Sequence, residues 1–155
     1  MRAIILIALF FAVATKINPN IIGGCGQAPK NRPITCYTDK VLPEDIPELR
    51  ILLRQFKKIG DDNVFADYLY DMFDKKDFRE RKEKNEPEPA RIIGNCGMHP
   101  KYLSFECYEP QVLRRDRTEL KNAYDNLHDT KLEDFNKVLV DLKEKKLNYY
   151  EGKAE

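Results

Sequence analysis

The stretch 21–49 occurs twice, and this repetition constrains the fold more than any other feature of the chain. Residues 92–120 align with it without a gap, because Cys25 and Cys96 lie 71 positions apart, as do Cys36 and Cys107. The identical pairs include Gly23/Gly94, Gly26/Gly97, Pro29/Pro100, Tyr37/Tyr108, Val41/Val112 and Leu49/Leu120. All four cysteines lie inside the repeated stretch. We therefore predict a tandem duplication with two cysteines in each copy.

Residues 1–14 are organised like a signal peptide. Arg2 provides a basic start, residues 3–14 are apolar, and the run ends on the small residues that a signal peptidase reads at Ala12 and Ala14. A membrane-spanning helix needs roughly 20 apolar residues, and polar Thr15 ends this run earlier. We expect cleavage of the signal, a flexible N-terminus at 15–20, and a secreted, extracellular protein with no membrane association after cleavage.

Export determines how the cysteines are interpreted. Oxidising compartments favour disulfides, and an even number of cysteines at a repeated spacing indicates a disulfide framework. Structural zinc sites usually bring their ligands as close pairs, whereas Cys25 and Cys36 flank a longer loop rich in glycine and proline. A unit that duplicated was self-sufficient beforehand, so of the three possible connectivities we predict Cys25–Cys36 and Cys96–Cys107. No metal is expected.

Helical patterns follow each cysteine loop. In repeat 1 (21–84), Pro43 and Pro47 place a helix start near Asp45–Glu48, Gly60 ends that helix, and Asp61 begins a capping sequence for the next. The apolar spacing of i, i+3 and i+4 predicts amphipathic helices. The inward residues are Leu42, Ile46, Leu49, Leu52, Leu53, Phe56 and Ile59 in the first helix, and Phe65, Tyr68, Leu69 and Met72 in the second.

A Pro/Glu linker at 85–91 precedes repeat 2 (92–150), and residues 151–155 form a C-terminal tail. Pro110 is expected to begin the first helix of repeat 2, and Asp129 or Thr130 to cap the second. The last helices match at an offset of 70 in the pairs Phe65/Phe135, Leu69/Leu139, Asp71/Asp141, Lys75/Lys145 and Lys76/Lys146. We therefore predict a mainly α fold of two tandem copies, each a disulfide-clamped loop plus an αα-hairpin, packed as a four-helix arrangement.

Charge and residue types narrow the function classes. The chain has 27 basic and 26 acidic residues, and without Arg2 the mature chain is formally neutral, whereas nucleic-acid binding normally requires a basic excess. The only histidines, His99 and His128, stand at different repeat positions and adjoin no nucleophile motif. We predict that the protein is not an enzyme, has no catalytic residues and no cofactor, and does not bind nucleic acid.

Aromatic residues on the second helix suggest a possible binding surface. Tyr68, Tyr70, Phe73 and Phe78 extend beyond a single inward stripe, and core packing, a ligand groove or a partner surface could account for them. On a helical wheel Tyr70 points away from the stripe, and Val140 occupies the same repeat position. Either the cysteine loop or a partner could cover this second face.

These features favour a secreted, non-catalytic binding protein. Its partner would be an extracellular protein or a small apolar ligand, bound through the helical faces or the cysteine loops. The alternative is a secreted enzyme (protease) inhibitor that presents a disulfide-clamped bait loop, Gln27–Ile34 or Met98–Glu106. The two loops differ in most positions, which counts against a shared inhibitory target.

Overall fold

The computed structural model describes residues 25–26, 28–58, 60–88, 96 and 103–153. Within these ranges the chain forms α-helices and short 3-10 turns without a β-strand, so the predicted mainly α class is confirmed. The α-helices are α1 (Ile46–Lys58), α2 (Asp62–Glu83), α3 (Phe105–Tyr108), α4 (Arg117–Asp125) and α5 (Leu132–Glu151). The predictions for the signal peptide, for residues 15–20 and for linker residues 89–91 fall outside the described residues.

Both predicted disulfides are confirmed. Cys25 is bonded to Cys36, with Cα atoms 5.7 Å apart, and Cys96 to Cys107, with Cα atoms 5.4 Å apart. The first disulfide closes a loop that contains the 3-10 turns Pro29–Asn31 and Ile34–Cys36. Each pairing joins neighbouring parts of the same repeated stretch, as expected for a unit that folds around its own cross-link.

The first half of the protein, which we define as residues 28–83, follows the predicted helix boundaries. The 3-10 turn Pro43–Asp45 leads directly into α1, so both prolines stand where proline is tolerated, in a first turn. The Asp61 carboxylate accepts a hydrogen bond from the Asn63 N–H at 2.8 Å and caps α2. The buried core of this half comprises Tyr37, Val41, Leu49, Leu52, Leu53, Phe65, Leu69 and Met72.

The second half, residues 103–151, differs from the prediction at two helix starts. Pro110 lies in a separate 3-10 turn, Glu109–Gln111, and α4 begins only at Arg117. The backbone is extended at Val112 and Leu113, because both side chains are drawn into the interior, where they are 3% and 1% exposed. The helix that Pro110 was expected to start is therefore interrupted.

The predicted cap of α5 is also wrong. The N-cap position is Lys131, and its side chain forms no capping hydrogen bond. The Thr130 hydroxyl instead donates to the carbonyl oxygen of Asn126 at 2.9 Å, so it satisfies the end of the preceding turn. The buried core of this half comprises Leu103, Phe105, Cys107, Tyr108, Val112, Leu120, Phe135 and Leu142.

The two halves form the same contacts at corresponding positions. In each half, the tyrosine that follows the second cysteine contacts the first phenylalanine of the long helix, which is α2 in the first half and α5 in the second. Two consecutive lysines of that long helix bind the segment that precedes the shorter helix, which is α1 in the first half and α4 in the second. The matched contacts are Tyr37–Phe65 with Tyr108–Phe135, Lys75–Asp45 with Lys145–Asp116, and Lys76 to the Asp39 carbonyl with Lys146 to the Pro110 carbonyl.

The hydrophobic residues form two separate clusters, one in each half. The predicted stripes are therefore buried largely within their own hairpins. Helices α2 and α5 nevertheless touch, and α2 also contacts the turn Arg114–Asp116. The tandem-copy and four-helix descriptions stay predictions.

Candidate binding groove between the two halves

Asp71 is the centre of the seam, by which we mean the contact of α2 with the turn Arg114–Asp116 and the end of α5. Its carboxylate is only 1% exposed. It accepts hydrogen bonds from the backbone N–H groups of Arg114 and Arg115, at 2.8 and 3.2 Å, and from Nε of Arg115 at 2.9 Å. A side chain of the first half thus satisfies the start of a turn in the second.

Arg115 is held between aromatic rings. Its guanidinium carbon lies 4.4 Å from the ring centre of Tyr68 and 4.5 Å from that of Tyr149. Burial alone lowers the pKa of Arg115, but Tyr149 and the Asp71 carboxylate outweigh burial and raise it. Arg115 is therefore charged, and the seam depends on a buried ion pair.

The C-terminal end of α5 completes the seam. The Phe78 and Tyr150 rings are 5.2 Å apart, and Nε of Arg79 donates to the Tyr150 carbonyl at 2.8 Å. Gly152 ends α5 in the left-handed conformation, with φ of 70°. Burial raises the pKa of Tyr149 and of Tyr150 far above the usual tyrosine value.

Because the pKa values of Tyr149 and Tyr150 are raised, we expect the protein to lose stability in alkali. A raised pKa favours the neutral hydroxyl in the folded state, so this stabilisation is complete below pH of about 10 and declines as the pH rises further. We expect the free energy of unfolding to fall by at most about 1.4 kcal/mol per pH unit for each tyrosine, because each ring releases at most one proton more in the unfolded state than in the folded state. Urea unfolding between pH 8 and 11.5 measures this slope.

The double variant Tyr149→Phe/Tyr150→Phe is the matched control for the alkaline prediction. Its unfolding free energy should depend less on pH in the same range, since neither ring can ionise. An equal slope in the variant and the parent protein would contradict the prediction.

A groove of about 1490 Å³ opens beside the seam, between α2, α5 and the turn Glu109–Gln111. Val140 and Leu147 stand two helical turns apart on the α5 side and are 58% and 47% exposed. Half-buried Phe78 adds apolar surface from α2. Charged residues also line the groove: Asp74, Asp77, Arg81, Lys82, Glu86, Glu88, Glu109, Arg114, Lys143, Glu144 and Lys146.

The four residues predicted as a binding surface lie in different places. Val140 lines the groove. Tyr68 packs on Phe56 and on Arg115 in the seam. Phe73 packs against the core of the first half. Tyr70 is 48% exposed at the edge of the seam.

Arg114 covers one face of Tyr70. Its guanidinium carbon lies 5.0 Å from the ring centre, while the Phe73 ring meets Tyr70 at 90°. This cover was not anticipated, because it comes from a turn of the second half. Leu147 was also missed, although its spacing of seven residues from Val140 places both on one helix face.

Tyr70 and Val140 match at the sequence offset of 70, and substitution of each by lysine makes a matched pair of variants. Tyr70→Lys removes the cation–π contact and places two positive charges together, so we expect a loss of about 1 kcal/mol in unfolding free energy. Val140→Lys should change it by less than about 0.5 kcal/mol, because Val140 is exposed. Thermal and urea unfolding of both variants measure the difference, and equal effects would contradict it.

The first predicted bait loop is tied to the body of the protein. The ammonium group of Lys30 donates to the Gly60 carbonyl at 3.1 Å, and the Tyr37 hydroxyl donates to the Pro29 carbonyl at 2.7 Å. Most of the second loop, from residue 98 to 102, lies outside the described residues, as does His99.

The described ranges contain no group of three His, Cys, Asp or Glu side chains arranged to hold a metal ion. In the same ranges, no helix combines the length and the hydrophobicity needed to cross a bilayer.

The seam and the groove define a helical, doubly disulfide-bonded protein with an open surface cleft. Comparison of the chain with protein-family models, curated proteins and solved structures finds no match.

Proposed function

We propose that the protein is a secreted, non-catalytic binding protein whose groove takes a segment of an extracellular protein partner. The observation that carries the proposal is the pair of exposed apolar side chains, Val140 and Leu147, on one wall of a groove that also contains Phe78. Exposed apolar residues that line one groove and are rimmed by polar residues are typical of protein-binding sites. The two disulfides support secretion, since they persist in oxidising compartments.

The shape of the groove favours a protein segment over a small apolar ligand. Small-molecule sites are largely apolar clefts of about 300–1,000 Å³, whereas this groove measures about 1490 Å³ and carries charges on every side. Several of these charges already pair with each other, including Asp74 with Arg114 and Asp77 with Arg81. An amphipathic segment can place its apolar residues on Val140 and Leu147 and its polar residues on the rim.

We also infer that the groove is a product of duplication. Two tandem copies of one disulfide-clamped hairpin, packed as a four-helix arrangement, would bring a long helix of each copy to a common cleft. The matched contacts of Lys75 with Asp45 and of Lys145 with Asp116 support equivalent copies. The contact of α2 with α5 supports the packing.

Selection from a displayed random-peptide library tests the function. Peptides selected on the intact, oxidised protein should bind it saturably and lose about tenfold or more in affinity with Leu147→Asp, which places a charge on the apolar wall. Ile51→Asp is the control, because Ile51 is similarly exposed, at 53%, but lies on α1 and does not line the groove. Peptides that bind both variants equally would contradict the proposal.

A fluorescent fatty acid serves as the competing probe in the same assay. Binding of this probe that Leu147→Asp abolishes, with no selected peptide bound there, would assign the groove to a small apolar ligand instead.

A further inference from the structure

Asp141 occupies the repeat position of Asp71 but has a different environment. The identical stretches place Asp141 at the offset of 70 that also relates Val140 to Tyr70 and Glu144 to Asp74. Asp71 is buried in the seam, whereas Val140, Asp141 and Glu144 are all exposed. The carboxylates of Asp141 and Glu144 form no ion pair within the described part of the chain.

The first half shows what such a face binds. Asp71 accepts hydrogen bonds from the backbone N–H groups of Arg114 and Arg115, Asp74 contacts Nε of Arg114 at 3.3 Å, and the Arg114 guanidinium covers Tyr70. The ligand of this face is thus a turn that starts with two arginines. Its free N–H groups and its positive charges both complement carboxylates.

We propose that Val140, Asp141 and Glu144 form a docking site for a partner protein that presents a turn beginning with two consecutive basic residues. The docking site adjoins the groove, because two of its residues, Val140 and Glu144, also line the groove. The proposal rests on the proposed function and adds the chemistry of the partner's segment: basic side chains on Asp141 and Glu144, with an aliphatic stem of one of them on Val140.

A second copy of this chain is a poor occupant. Its Arg114 and Arg115 are already bound by Asp71. The residues at the same repeat positions in the first half are Pro43 and Glu44. Proline has no N–H to donate, and a glutamate would be repelled by Asp141 and Glu144. A turn of another protein that begins with two basic residues has neither disadvantage.

The probe is a synthetic peptide of residues 111–120, acetylated and amidated, which contains the arginine pair. Titrated into the intact, oxidised, ¹⁵N-labelled protein, it should shift the backbone amide signals of residues 137–148 saturably. A matched peptide in which Arg114 and Arg115 are replaced by glutamine and Arg117 is kept should bind about tenfold or more weakly, because the charge-assisted contacts are lost. The exposed variant Asp141→Asn should weaken the arginine peptide to a similar extent, while the fold is retained.

The outcomes separate this inference from the proposed function. Absence of saturable shifts, shifts on another face, or equal affinity of both peptides would overturn the inference, yet the library peptides could still depend on Leu147 and support the groove. A concentration-dependent dimer in sedimentation that Asp141→Asn abolishes would assign the face to a second copy and overturn the basic partner. Library peptides indifferent to Leu147→Asp would contradict the groove itself, whatever the arginine peptide does.

Discussion

Replacement of Asp71 by asparagine is expected to lower the free energy of unfolding by about 3 kcal/mol. The change removes the carboxylate that meets two backbone N–H groups and the Arg115 side chain, and it leaves a largely buried guanidinium without its nearest anion. Breaking a buried pair in this way costs about 3–5 kcal/mol. We expect the lower end, because Glu48 lies 3.7 Å from the same guanidinium. Urea unfolding followed by circular dichroism measures the loss.

Asp141→Asn is the matched control for Asp71→Asn. The residue type, the helix position and the substitution are the same, but Asp141 is exposed, so the change should stay within about 0.5 kcal/mol. Equal destabilisation by the two variants would show that the seam is not held by Asp71. The contrast isolates tertiary environment from helix propensity, because each variant alters its own helix in the same way.

Removal of the first disulfide by Cys25→Ala/Cys36→Ala is expected to destabilise the protein by about 3 kcal/mol. The bond spans a sequence separation of 11, and loss of this constraint restores conformational entropy to the unfolded chain on the loop-closure account. The second disulfide spans the same separation, so Cys96→Ala/Cys107→Ala should lose a similar entropic contribution.

The second cysteine variant should nevertheless be the more severe of the two. Cys107 is buried in the core of its half, whereas Cys36 is only half-buried at the edge of the other core, so truncation at Cys107 also leaves a small cavity. Guanidinium unfolding of both double variants measures the order. If either double variant had the same unfolding midpoint as the parent protein, the expected stabilisation by that disulfide would be contradicted.

Local structure was predictable where one residue pattern sufficed. The start of α1 after Pro43 and the Asp61 cap of α2 were both predicted, because proline and short acidic side chains act within one helical turn. The start of α4 was not. Its position depends on burial of Val112 and Leu113, which a local pattern does not encode.

The candidate site was less predictable than the helices. Val140 was predicted from its repeat position and does line the groove. Tyr68 was placed in the same surface but contacts Arg115 in the seam. The sequence pattern indicates which side of a helix faces its own hairpin, but it does not indicate which residues a second hairpin will cover.

The sequence by itself determined the helical class and the pairing of the cysteines, because periodicity and repeat spacing act over short stretches of chain. Only the tertiary structure decided that Asp71 is buried and Asp141 exposed. The two residues match at a sequence offset of 70, and each lies on the long helix of its half. They differ because α2 meets the turn Arg114–Asp116, whereas the corresponding face of α5 stays open to solvent.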